Sequence, residues 1–318
     1  MLFLEEREIV AAFVTIISLM SDQKPTPFVL VPEYALLDAL PENVQTRFAT
    51  ALTLMHEDLS SGLSWEQIAT QSAISPFHFH RQFTELFNET PGQYLSRLRL
   101  QYVVHYLFAE QDYKVIDIAH ECGFSSSQSL GKALKKAIGL TAKQVRALGV
   151  SGTPRQTAEI IGKLAHPAEQ GTIENKLAAK LPCELVWYPQ RGMKYLPHVS
   201  NDWDTIFDTF GEKSTRIMAT TPINQLEKSW QDIETHIGDW QASASEHTRT
   251  VAEGHYFCCD VYVVSDAGYS AALEQLFNII ESQGYQLDEK GHLVEIIRDI
   301  EMTDTGGVTF SFQVPVKV

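Results

Sequence analysis

The 318-residue sequence predicts a multidomain chain: an all-α tandem helix-turn-helix domain, then an α+β domain built from two strand-helix-strand-strand modules. Three observations predict this. A short helical pattern is written twice between Trp65 and Gly139. One copy runs Ile68-Ala69, a polar turn, Ser75-Pro76 and a helix carrying Phe79, Phe83 and Phe87; the other runs Ile118-Ala119, Gly123-Phe124-Ser125 and a helix carrying Leu130, Leu134 and Ile138. The Ile-Ala pairs lie 50 positions apart and the helix ends Phe87 and Ile138 lie 51 apart, so one inserted residue brings the copies into register. After Pro182 the helical period gives way to short alternating runs. That last portion reads strand, helix, two strands and then repeats the order, as two packed modules with a cleft between them would.

The boundaries follow: residues 1–44 form a helical extension and connector, 45–148 the helix-turn-helix domain, 149–181 a linker, and 182–318 the α+β domain. Residues 4–20 read as a helix with acidic residues in its first turn. Its apolar run Ile9 to Met20 is too short to span a bilayer, and Glu5, Glu6 and Glu8 precede it where a signal peptide would be basic. The four cysteines, Cys122, Cys183, Cys258 and Cys259, lack metal-ligand spacing, and a reducing cytoplasm is the expected setting. No metal, cofactor or membrane contact is expected.

The formal net charge of −15 is unevenly spread. Residues 45–148 hold ten Lys and Arg against nine Asp and Glu, and the remainder holds fifteen against thirty-one. The segment with the repeat is therefore the least acidic part. A helix-turn-helix places its second helix in a DNA major groove. Near-neutral charge predicts double-stranded DNA binding of modest electrostatic strength that salt weakens readily.

Pro25, Pro27, Pro32 and Pro41 break the pattern after the first helix, leaving a connector with one short helix at Glu33 to Ala39. From Asn43, Phe48, Leu52, Met55 and Leu59 share one helix face. Ser64 and Gln67 form a capping box for the helix at Trp65. The first recognition helix starts near Ser75, turns Phe79, Phe83 and Phe87 inward, and leaves Phe77, His80 and Arg81 on the other face. A linking helix with Tyr94, Leu95, Leu98, Tyr102 and Tyr106 follows Thr90-Pro91, and Ser125 opens a second recognition helix with Ser127, Gln128 and Lys132 outward. The linker carries one helix near Thr157 to Leu164. Beyond it, strands are expected at Cys183 to Tyr188, Asp232 to Ile237, His255 to Val264, Leu293 to Ile300 and Val308 to Val316, with helices at Asp202 to Phe210 and Tyr269 to Gln283.

Residues 45–147 resemble the two-unit DNA-binding domain of the AraC/XylS family of transcriptional regulators. The resemblance rests on Ile68-Ala69, Ser75-Pro76, Phe79, Phe83, Arg97-Leu98-Arg99-Leu100, Ile118-Ala119, Gly123-Phe124-Ser125, Lys132 and Gly139-Leu140-Thr141. Ala73 stands where the family usually has Gly, and Leu130, Leu134 and Ile138 fill positions that are often Phe. The resemblance implies base contacts at Phe77, His80 and Arg81. Arg81 can reach a guanine bidentately, His80 can donate or accept at a base edge, and Phe77 can lie on a thymine methyl. In the second unit Gln128 suits adenine, while Ser127 and Lys132 suit either base or backbone contacts.

The C-terminal portion resembles the GyrI-like effector-binding domain, through Tyr195-Leu196-Pro197-His198-Val199, Gly254-His255-Tyr256, Gly284-Tyr285, Leu293-Val294-Glu295 and Val314-Pro315-Val316. That implies a small amphipathic, neutral or cationic effector. Glu295 would lie in an aromatic pocket where a cation offsets the cost of burying its charge, with Trp203, Trp230, Tyr195 and Tyr256 as lining candidates. Together the two resemblances imply a ligand-controlled regulator of transcription, an activator rather than an enzyme, with RNA polymerase as a further partner. Two alternatives stand beside this: a small-molecule hydrolase with Glu295 as general base, and a protein-interaction module.

Overall fold

The computed structural model describes residues 26–57, 59–109, 112–199, 202–301 and 307–318. The helix expected over 4–20 lies outside the described residues. Helices α1 (Pro32–Leu37) and α2 (Glu42–Glu57) lead into the first unit, α3 (Trp65–Gln71) and α4 (Pro76–Phe87). Helix α5 (Pro91–Ala109) connects it to the second unit, α6 (Val115–Glu121) and α7 (Ser127–Ala137), closed by α8 (Ala142–Ser151).

The repeat holds at the level of single hydrogen bonds. Ser72 N–H donates to Ile68 C=O and Ile74 N–H to Ala69 C=O; fifty residues on, Cys122 N–H donates to Ile118 C=O and Phe124 N–H to Ala119 C=O. Each turn passes through one left-handed residue, Ala73 (φ 55°) and Gly123 (φ 74°). At Gly123 a Cβ would sit 2.1 Å from the Leu59 carbonyl oxygen, so glycine is required there. The next helix is capped by Ser75 in unit one and by Ser126 in unit two. Ser126, not Ser125, therefore opens the second recognition helix, because its side chain accepts from Ser129 N–H in a capping box, and here the inserted residue falls.

Helix α5 belongs to two cores. Its first half gives Tyr94, Leu95 and Leu98 to the core of unit one, around Phe48, Phe79, Phe83 and Phe87. Its second half gives Leu100, Val103, Val104 and Leu107 to the core of unit two, around Ile118, Leu130 and Leu134.

The C-terminal region forms one mixed ten-stranded sheet. Its strands are β1 (Phe28–Val29), β2 (Glu184–Tyr188), β3 (Arg191–Tyr195), β4 (Ile217–Pro222), β5 (His236–Asp239), β6 (Arg249–Val251), β7 (Gly254–Val263), β8 (Gln286–Leu287), β9 (His292–Ile300) and β10 (Val308–Lys317). Helices α11 (Trp203–Phe210) and α12 (Asp266–Ser282) lie on one face. The strand order has a mirror, β3-β5-β4 in one half and β7-β10-β9 in the other, joined through antiparallel β4 and β9, but the strand expected to open the first module, Cys183 to Tyr188, pairs instead with β7 in the second half. The modules thus share one sheet. Strands β1, β3, β4, β6 and β8 are additional to those expected, and the strand expected at Asp232 to Ile237 begins at His236, after a 3-10 turn over Trp230–Asp232. β2 pairs with β7 at one edge and β3 with β5 near the other, yet only Pro189 and Gln190 separate β2 from β3. The sheet must curl. Arg191 accordingly reaches Gln313 of β10 at 2.5 Å, across the inner, helix-free face.

Neither connector nor linker is a loose tether. β1 adds a parallel strand to β7, and Leu30 enters the core under α12. A two-residue strand among prolines has no periodicity to reveal it. The linker holds two helices, α9 (Pro154–Gly162) and α10 (Ile173–Ala178), with Ile160 and Leu164 in the core of unit two and Ala178 and Leu181 in the sheet core. Buried charges join these segments. His166 lies 2.7 Å from Glu174 and, as an ion contact off the hydrogen-bond line, 2.8 Å from Glu33, while Tyr94 Oη donates to Glu33 at 2.8 Å. Burial works against charge on His166, but Glu33 and Glu174 hold its pKa up at about 9. Arg97 pairs with Glu89 at 2.7 Å and donates to the Leu164 carbonyl. These pairs cross from connector to domain to linker.

Ala73 is exposed in a conformation that disfavours a Cβ. Ala73→Gly is expected to stabilise the first unit by about 1 kcal/mol, less the extra freedom glycine gains when unfolded. Denaturant midpoints of the two proteins check this; an unchanged or lower midpoint for the variant counts against it.

Candidate nucleic-acid interface and candidate ligand cleft

On α4 the three expected contact residues differ in availability. Phe77 is 76% exposed, a large apolar ring held in solvent one residue inside the helix start. Arg81 is exposed, with Nη1 3.8 Å from Glu85 one turn on, a pair worth little in water and easily given up to a base or phosphate. His80 is half-buried, its ring 5.3 Å from that of Trp65, so one side is committed to packing between α3 and α4. On α7, Gln128 and Lys132 are exposed one turn apart, and Ser127 is half-buried in the first turn. Lys135 donates to the Gly139 carbonyl at 2.7 Å and closes its own helix. The interface is therefore unequal: unit one offers an aromatic ring and a guanidinium, and unit two offers an amide and an ammonium.

In the sheet, Glu295 lies on β9 at the seam between the two halves, directly opposite Ala219 of β4. It points to the helical face, as do Phe310 and Phe312 of β10. Tyr269 of α12 donates to its carboxylate. The Tyr269 ring lies 5.3 Å from Phe310 and 5.2 Å from Phe312, and Trp203 of α11 stands 5.2 Å from Phe310. Glu295 is 7% exposed and has no cationic partner among the described residues. Burial pushes its carboxyl up to about 7, with the Tyr269 hydrogen bond pulling the other way.

Of the four aromatic candidates, the structure brings only Trp203 to this site. Tyr256 alternates to the opposite face of β7, where it packs with Tyr188. Tyr195 is on that same inner face, beside His236 at 5.5 Å. Trp230 faces the linker, its ring N–H donating to Thr157 at 3.2 Å and its backbone N–H to Gly152. Tyr269, Phe310 and Phe312 take their place. The signals were present: Tyr269 lies one turn before Leu273 on the inward face of its helix, and Phe310 and Phe312 alternate on one strand face.

One contact ties the helices over Glu295 to the linking helix. His105 of α5 lies 2.9 Å from Asp204, next to Trp203, and 3.4 Å from Asp266, one turn before Tyr269. Burial works against charge on His105, but hydrogen bonds to Asp204 and Asp266 hold its pKa at about 11. A protonated imidazole thus holds the starts of both cleft helices to the linking helix.

Because Glu295 titrates higher folded than unfolded, the native state binds the extra proton between pH 4.5 and about 7 and loses stability as pH rises through that window. Glu295→Gln is expected to gain on the parent by up to about 3 kcal/mol on going from pH 5 to pH 8. Parallel melts at the two pH values measure it; a difference independent of pH rules the assignment out.

A family model described as a helix-turn-helix domain matches residues 68–147. The HTH-type transcriptional activator RhaS of Escherichia fergusonii is 31% identical over 105 residues, 33% of this chain and 37% of that protein. The chain thus spans little more than a third of the length of that curated relative. Among solved structures, an AraC-type transcriptional regulator from Chromobacterium violaceum aligns at 24% identity and TM-score 0.32, covering 34% of this chain and 96% of that one. The DNA-binding domain of AdpA, a global transcriptional factor solved with a target DNA, aligns at 24% identity and TM-score 0.30, covering 32% and 90%. No described helix is long and apolar enough to cross a membrane. With the duplicated turn, the two cores and the matched family model, residues 68–147 form a helix-turn-helix domain similar to that of transcriptional regulators such as RhaS.

Proposed function

We propose that the protein is a sequence-specific regulator of transcription whose sheet domain, of GyrI-like type, binds a small amphipathic cation at Glu295. The observation that carries the sensor reading is Glu295 itself: a carboxyl group buried among Trp203, Tyr269, Phe310 and Phe312 with no protein cation beside it. A cation with apolar substituents supplies both the missing charge and contacts for the rings. The exposed Phe77 and Arg81 support direct base reading by unit one, and the RhaS description favours activation as the direction. His105 supports a route between the sites, since a ligand that parts α11 from α12 also pulls at Asp204 and Asp266.

The operator is obtained by selection from random duplexes. On it, Arg81→Ala is expected to lose roughly 1–3 kcal/mol of affinity and base preference at one position, whereas Lys132→Ala, acting at a phosphate, lowers the salt slope by about 1. Calorimetry with tetraphenylphosphonium is expected to show binding that Glu295→Gln weakens at least about tenfold, or ~1.4 kcal/mol. Equal operator affinity for Arg81→Ala at matched salt overturns the base-reading role, and equal cation affinity for Glu295→Gln overturns the sensor role.

A further inference from the structure

We infer that the inner face of the curled sheet holds a second binding site, separate from Glu295, for a small anion carrying carboxylate or phosphate oxygens. A cavity of about 390 Å³ opens there, against β3, β4, β5, β6 and the start of β9. That volume lies within the range of about 300–1,000 Å³ of small-molecule sites. Its polar lining is His236, His247, His292, Arg249, Thr220 and Thr248, every one able to donate a hydrogen bond, and no carboxylate lines it. Strand alternation fixes the face: Thr220 pairs with His236 across β4 and β5, and His292 shares the parity of Val294 and Ile296 on β9, opposite to Glu295.

The electrostatics are unusual for this region. Residues 182–318 hold twenty-one Asp and Glu against nine Lys and Arg. Three of those nine, Arg191, Arg249 and Arg298, project on the inner face, and none pairs with a carboxylate among the described residues. Arg191 stacks instead on Tyr188, Arg249 on Tyr195 and Arg298 on Trp240, which leaves their charge uncompensated. Metal binding is not what the histidines are arranged for, since no group of three metal-ligating side chains converges among the described residues. His236 and His292 are left to offer ring nitrogens to the cavity, while His247 shapes its wall. The ring of His247 is fixed: its Nε2 lies 3.0 Å from the Ala242 carbonyl, and its other nitrogen covers Gly192, where a Cβ would come within 2.1 Å.

Burial and Arg249 push the pKa of His236 down, with Glu234 opposing, and burial and His236 push that of His292 down. Both rings therefore hold a proton less readily than a free imidazole, and an anion between them favours their charged forms. Proton uptake on binding follows.

The test is calorimetry of the full chain at pH 7 with inorganic phosphate and, separately, citrate, each in two buffers of different protonation enthalpy. Saturable binding with net proton uptake is expected for at least one anion; phosphate alone assigns a phosphorylated ligand, citrate alone a carboxylate. Arg249→Gln is expected to weaken binding at least about tenfold, His292→Gln to reduce the proton uptake, and Glu295→Gln to change neither. No saturable binding of either anion at millimolar concentration overturns the site. So does unchanged affinity in Arg249→Gln, or equal loss in Glu295→Gln. Circular dichroism of each variant separates loss of the site from loss of the fold, and unaltered binding by a folded His292→Gln protein with full proton uptake also counts against it.

Discussion

Helix α5 is the constraint on which the rest of the molecule depends. A helix of nineteen residues has a fixed length and twist, and this one gives its first half to one hydrophobic core and its second half to another. The two recognition helices are therefore set relative to each other by the geometry of a single rod. Arg97 and Gln101 of the same rod donate to the Leu164 carbonyl in the linker, and His105 is held by both helices of the sheet domain. Displacing α5 disturbs every one of these at once. Burying charge is costly unless it is paired, so Arg97 with Glu89 and His166 with Glu33 and Glu174 favour one arrangement of connector, linker and reading units over any looser one.

The helix-turn-helix region was legible in the sequence because its information is local. Apolar spacing, a capping Ser and a left-handed turn residue all lie within a few positions of the element they specify, and Phe79, Phe83 and Phe87 are fully buried as their spacing required. Ala73 was legible as a departure from Gly, although its positive φ emerged only with the backbone. The sheet domain was less legible. β3 carries Arg, Gly and Lys in place of an apolar alternation, β6 has only three residues, and β1 pairs Phe28 with Val261, far along the chain. Tyr256 lies on the other face from Glu295, which its sequence could not show, because strand alternation tells which residues share a face but not which face meets the helices.

The two faces of the curled sheet divide the chemistry. Outside, under α11 and α12, a lone carboxylate sits among aromatic rings. Inside, three arginines and three histidines line a face without ion pairs to carboxylates. Adjacent side chains along β9 point to opposite charge environments, Glu295 to the helical face and its neighbours Val294 and Ile296 to the inner one. A strand can thus present one kind of ligand chemistry on each side without conflict between them.

The proposed control of DNA binding from the Glu295 site runs through the grip of Asp204 and Asp266 on His105. Coupling is reciprocal, so it is read most directly as the factor by which saturating tetraphenylphosphonium changes operator affinity, measured by fluorescence anisotropy at fixed salt for the parent and for His105→Gln. A change of about fivefold or more is expected in the parent, and a factor near one in His105→Gln with cation affinity retained. An undiminished factor in His105→Gln would contradict it.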